Sequence, residues 1–197
     1  MRLFVALDIP KEIRERIKTY MSLLQREVPG VKWVRPEGLH VTLKFIGNTD
    51  KMEAIKRELQ SVKSVPLEVR FRGAGFFTPR SPRVFWIGVE GLQIAAFAKD
   101  IDARLQSIEI PAEEREFNPH LTLAREGSGH PRGDTKDRNK PLMYALRDKI
   151  VSSKEWSQPE FGTITAAEFF LYRSETKPEG AVYTKLAGFA LKGLDAD

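Results

Sequence analysis

Apolar residues recur along this chain in two periods, and the switches between them mark out its elements. Residues 2–8, RLFVALD, are a continuous apolar run of strand length. Asp8 and Pro10 then signal a helix start. Ile13, Ile17, Tyr20, Leu24 and Val28 follow at helical spacing, which predicts an amphipathic helix over 10–28 that Pro29-Gly30 ends. A strand is predicted over 39–46, LHVTLKFI, and a helix over 50–62 with Met52, Ile55 and Leu59 on one face. Strands follow over 67–77 and 83–89, joined by the turn TPRSP, and then a helix over 92–108.

The order then repeats. A strand is predicted over 120–125, HLTLAR, followed by a polar, charged loop over 126–140. A short helix over 140–151 and strands over 162–173 and 181–191 complete the chain. Both halves contain a helix, a His-x-Thr-Leu strand and a later β-rich pair. The expected fold class is therefore α+β and bilobal, with two pseudo-symmetric lobes. Each lobe has an antiparallel sheet with flanking helices, and a cleft lies between them. No Pro/Ser-rich linker separates the halves, so residues 1–197 are expected to form a single unit.

Composition narrows this picture only a little. A 41% hydrophobic share makes the chain globular. No apolar run is long enough to span a bilayer, and the start MRLFVALDIP does not read as a signal peptide. With no cysteine there is neither a disulfide nor a thiolate metal site. A cytoplasmic location is expected. The net charge of +5 is compatible with an anionic partner but does not require one.

The chemistry concentrates in the histidines. There are three, and two of them open the same tetrapeptide: His40-Val41-Thr42-Leu43 and His120-Leu121-Thr122-Leu123. Alternate side chains of a strand share a face. His40 and Thr42 should therefore face one way, and Val41, Leu43 and Phe45 the other, into the core. Lys44 should share the histidine face, where it either adds charge or is simply solvated. The second strand should likewise present His120 and Thr122. Two imidazoles and two hydroxyls in one cleft suit metal-free phosphoryl displacement: one neutral histidine takes a proton, one protonated histidine gives one. The hydroxyls would hold phosphate oxygens. His130 lacks such a partner and reads as a solvated loop residue.

LHVTLKFIG and FNPHLTLAR, together with the opening MRLFVALD, resemble the signature stretches of the two-histidine phosphoesterase superfamily, in its RNA 2′,3′-cyclic phosphodiesterase branch, historically called 2′-5′ RNA ligases. The resemblance implies hydrolysis of a 2′,3′-cyclic phosphate RNA end to a 2′-phosphate; no metal or cofactor is expected, and the chain is expected to be a monomer. It implies His40 as proton donor and His120 as proton acceptor. Thr42 and Thr122 would bind the phosphate, and the reverse, joining reaction is also implied. Arg125 matches an arginine that the family keeps five residues after the second histidine. Five is an odd offset, so Arg125 reaches the cleft only if the strand ends or bulges before it. Phe4 is a further candidate: it either offers a face to the terminal base or belongs to the core. The loop cations Arg132, Lys136, Arg138 and Lys140 would gather RNA or be solvated. Rival readings are a related enzyme of small cyclic nucleotides, ADP-ribose cyclic phosphate or 2′-5′ oligonucleotides, and a non-catalytic RNA-end binding module.

Overall fold

A computed structural model of the chain describes residues 1–126, 139–177 and 180–192. The first signature lies in β2 (His40–Asn48), which follows β1 (Arg2–Asp8) and α1 (Lys11–Glu27). After it come α2 (Met52–Gln60), β3 (Leu67–Phe77), β4 (Val84–Glu90) and α3 (Ile94–Gln106). The second signature is β5 (His120–Arg125), followed by α4 (Asn139–Val151), α5 (Lys154–Ser157), β6 (Glu160–Ala166), β7 (Glu168–Lys177) and β8 (Gly180–Ala190). The loop expected over 126–140 falls largely on residues 127–138, which lie outside the described residues, as does His130.

All eight strands join one antiparallel sheet in the order β6-β3-β4-β5-β2-β1-β7-β8. Its centre is the contact between the two signature strands, made through the single pair Val41 and Leu121. From that centre the order runs outward as β5-β4-β3-β6 on one side and β2-β1-β7-β8 on the other. The two four-stranded halves correspond, β2 to β5, β1 to β4, β7 to β3 and β8 to β6. They are not the first and second halves of the sequence. The one strand expected over 162–173 is in fact two. β6 pairs with β3 at one end, β7 pairs with β1 on the other side, and only Ala167 separates them. The sheet must therefore curl until those two strands are one residue apart.

The helices lock the halves together. Ile13 of α1 lies under Gly162 of β6, and Arg16 donates to the Phe161 carbonyl at 2.9 Å. Conversely, Phe97 of α3, which follows β4, meets Phe169 of β7 edge-on at 5.2 Å. α1 and α3 thus each cover the half opposite to the strand they follow. One continuous core lies on this helix-covered face, with Leu3, Val5, Val41, Leu43, Leu121 and Leu123 among its members. A smaller aromatic cluster of Phe4, Ala6 and Tyr172, with Phe170 and Tyr183, occupies the opposite face.

Candidate active site

The central strands place the signature residues by register. With Val41 opposite Leu121 in an antiparallel pair, His40 lies opposite Thr122 and Thr42 opposite His120. Val41 and Leu121 are fully buried, so the residues on either side of them face the other way, into a shared cleft. Both imidazoles are held alike. Nδ1 of His40 donates to the Gly38 carbonyl at 2.7 Å, and Nδ1 of His120 donates to the Asn118 carbonyl at 2.7 Å. A carbonyl can only accept, so Nδ1 carries the proton and Nε2 is left for the cleft.

Aromatic rings fix these imidazoles further. Tyr183 stands edge-on to His40 at 4.9 Å, and Phe77 edge-on to His120 at 4.7 Å. Neither contact could be read from the sequence, since both partners come from other strands. Burial pushes His40 down from 6.5 to about 4; the Arg125 and His120 charges act in the same direction, while the Gly38 carbonyl and Asp8 oppose it. Burial also lowers His120, again with help from Arg125 and against the Asn118 carbonyl. Arg125 therefore acts on both histidines.

Arg125 reaches the cleft through a bulge. Phe85 of β4 lies opposite Ala124, but Trp86 lies opposite Thr122, so Leu123 is an extra residue. Leu123 and Ala124 are consecutive and both fully buried. The alternation flips, and the Arg125 guanidinium donates to the Thr122 hydroxyl at 3.2 Å. The condition set by the odd offset is met by this irregularity.

β2 bulges at the matching place. Val5 lies opposite Lys44 and Ala6 opposite Thr42, leaving Leu43 as the extra residue. Two expectations are corrected by this one fact. Lys44 does not share the face of His40. Its side chain is 2% exposed, bonded to Asp102 at 2.5 Å and to the Pro111 carbonyl at 2.7 Å. Phe45 does not enter the core. It is 52% exposed, at the position in β2 that Arg125 occupies in β5.

Phe4 is also corrected as a stacking surface. It is 3% exposed, stacked on Tyr172 at 5.1 Å and packed behind His40 at 4.7 Å, so neither ring face is open to a base. It supports the imidazole instead. Phe45, 6.4 Å from Phe4, is the exposed aromatic on that side. The signal that would have found it is its offset from His40, the same five residues as from His120 to Arg125. Asp8 sits beside His40 in the register and is bound by Arg14 at 2.9 Å and Lys185 at 2.6 Å. These partners hold its carboxyl below the usual value despite its burial.

Past Arg125 a hollow of about 630 Å³ opens, bordered by Lys32, Arg35 and Tyr183. Among the described residues no group of three or more His, Cys, Asp or Glu side chains is placed to hold a metal ion. No helix among them is long and apolar enough to cross a membrane.

A family model described as LigT like Phosphoesterase matches residues 7–86 and 87–183. The RNA 2′,3′-cyclic phosphodiesterase of Archaeoglobus fulgidus is 34% identical over 193 residues, covering 96% of this chain and 99% of that protein. The one from Methanocaldococcus jannaschii is 34% identical over 186 residues, covering 93% and 96%. Among solved structures, a Thermus thermophilus protein superposes with a TM-score of 0.73 at 29% identity, over 98% of this chain and 100% of that one. Escherichia coli LigT complexed with NADP+ superposes with a TM-score of 0.70 at 25% identity, over 96% and 97%.

Proposed function

The chain belongs to the LigT-like phosphoesterase family, and from that membership we propose that it opens the 2′,3′-cyclic phosphate at an RNA end to a 2′-phosphate, using His40 as acid and His120 as base. One observation carries the catalytic reading. Two His-x-Thr strands meet about a single residue pair, each imidazole with Nδ1 tied back and Nε2 toward the cleft.

In this reading Nε2 of neutral His120 takes the proton of the attacking water. The phosphorus bond to the 3′-oxygen breaks on the far side, and Nε2–H of His40 gives that oxygen its proton. The Thr42 and Thr122 hydroxyls donate to the non-bridging oxygens and keep the phosphorus in line. Arg125, held on Thr122, offsets charge that develops on those oxygens. Burial keeps His40 neutral in the empty cleft, and an arriving phosphate anion raises its affinity for the proton it must then donate. Phe45 offers the terminal base a stacking face, and Lys32 and Arg35 border a path for the polyanionic RNA body.

His40→Ala and His120→Ala should each lower kcat/KM for an oligoribonucleotide with a cyclic end by at least about 100-fold, with far-UV circular dichroism unchanged. Appreciable turnover by either variant overturns the two-histidine mechanism. Turnover is expected to persist in excess EDTA. The RNA end should be preferred to a small 2′,3′-cyclic nucleotide and to ADP-ribose cyclic phosphate; a reversed preference points to the related small-molecule enzymes.

A further inference from the structure

Both imidazoles are tied back by the same kind of bond, but the carbonyls that tie them are not held alike. Gly38 belongs to a short 3₁₀ turn, Pro36–Gly38, that precedes β2. Arg14, near the start of α1, donates to the Pro36 carbonyl at 2.6 Å. The same guanidinium donates to Asp8 Oδ1 and to the Ile9 carbonyl, each at 2.9 Å. Lys185 of β8 holds the other oxygen of Asp8 at 2.6 Å. Tyr183, also of β8, packs so closely that a Cβ on Gly38 would lie 3.2 Å from its ring. The turn is thus gripped by α1 and β8, with Asp8 of β1 as the shared anchor.

The other half is built differently. Gly88 stands opposite His120, where Asp8 stands opposite His40, and a hollow of about 580 Å³ borders it. The Asn118 carbonyl comes from an exposed, irregular segment, within which the Asn118 side chain bonds the Glu116 carbonyl at 3.2 Å. The approximate symmetry of the halves repeats the imidazole bond and not the frame behind it.

We propose that Arg14 is a positioning residue for the acid histidine: it fixes the Pro36–Gly38 turn, so that the Gly38 carbonyl keeps Nδ1–H of His40 and the imidazolium gives up its proton from Nε2. The inference rests on the proposed role of His40 as acid. An imidazole turns easily about its second side-chain torsion unless a ring nitrogen is held. When the bond from phosphorus to the 3′-oxygen breaks, that oxygen takes the Nε2 proton. The neutral ring left behind is the Nδ1–H tautomer that the Gly38 carbonyl already binds. A guanidinium suits the task, because its donors sit in a rigid fork that reaches a carboxylate and two carbonyls at once.

The test uses the full chain and two oligoribonucleotides with a 2′,3′-cyclic end, one carrying sulfur in place of the 3′-oxygen. A thiolate leaves without a donated proton, so the sulfur substrate bypasses the acid. Arg14→Met and Arg14→Lys should each lower kcat on the oxygen substrate at least about tenfold, with KM within about twofold. On the sulfur substrate both should stay within about threefold of the wild type. Arg14→Lys keeps the charge beside Asp8 without the fork and should not rescue. Arg16→Met, which removes the neighbouring arginine's bond to the Phe161 carbonyl, should leave both substrates unaffected. In isotopically labelled protein the Nδ1–H resonance of His40 should shift or broaden in the Arg14 variants, while that of His120 stays in place and reports an intact fold. Equal losses on the two substrates, or wild-type kcat in a folded Arg14 variant, overturn the positioning role. Should Arg14→Met fail to fold, Arg14→Lys decides. His40→Ala separates the two readings: rescue by sulfur leaves His40 as the acid whatever Arg14 does, and no rescue removes both.

Discussion

Burial holds the His40 imidazole near 4, and it lowers His120 as well, so both are neutral in the empty cleft at pH 7. The form with His40 protonated is then a minor one at neutrality. Its population grows as pH falls toward the window between about 4 and 6.5. The profile of kcat/KM is therefore expected to be bell-shaped with its maximum on the acid side of pH 6.5, reporting the coupled pair as a unit. A flat profile, or a maximum above about pH 8, contradicts this protonation scheme. Stability follows the same shift. The unfolded chain binds a proton at His40 between about 4 and 6.5 that the folded one refuses, so this residue's contribution is lost as pH falls through that window.

Two bulges at matching places turn ordinary strands into site-building ones. Each inserts one residue after the Thr, and everything beyond it changes face. In β5 this delivers Arg125 to the cleft; in β2 it delivers Phe45 there and buries Lys44. The buried Lys44 then ties β2 to Asp102 of α3 and to the segment after it. Removing the carboxylate leaves a buried ammonium without its charge partner. Asp102→Ala should cost about 3–5 kcal/mol in denaturant unfolding, whereas Lys44→Met should cost much less, because its apolar chain refills the space. If Asp102→Ala costs under about 1 kcal/mol, the pair does not anchor the bulge. The neighbouring strand reading, one element over 162–173, failed because β6 and β7 run on without a Gly or Pro to part them. Only their partners, β3 and β1, distinguish them.

At the scale of the whole molecule, the halves exchange elements throughout. β6 passes into β7 through one residue, α1 crosses from β1 to cover β6, and α3 crosses from β4 to cover β7. Neither half contains a continuous stretch of sequence able to complete its own sheet. Residues 1–197 are accordingly expected to unfold as one cooperative unit. Far-UV circular dichroism and tryptophan fluorescence should give coincident denaturation curves. Two separated transitions would mark the halves as independent. The same interlocking suits the chemistry, because it keeps the two imidazoles at a fixed spacing across a seam of only one residue pair.

The sequence by itself determined the helices α1 to α4, the signature strands and the two residues of each signature that share a face. All of these rest on local periodicity, which needs only neighbours along the chain. It also carried the family resemblance, in residues matched one by one. Tertiary structure alone decided where the alternation breaks. A bulge exists only relative to a partner strand, so the placement of Arg125, Phe45 and Lys44 could not be fixed without β4 and β1 beside them. It also decided that Phe4 is covered, because Tyr172 and Tyr183 arrive from far along the chain. And it decided that one histidine faces a filled space and the other an open one, since Asp8 and Gly88 acquire that meaning only when each strand lies against its histidine.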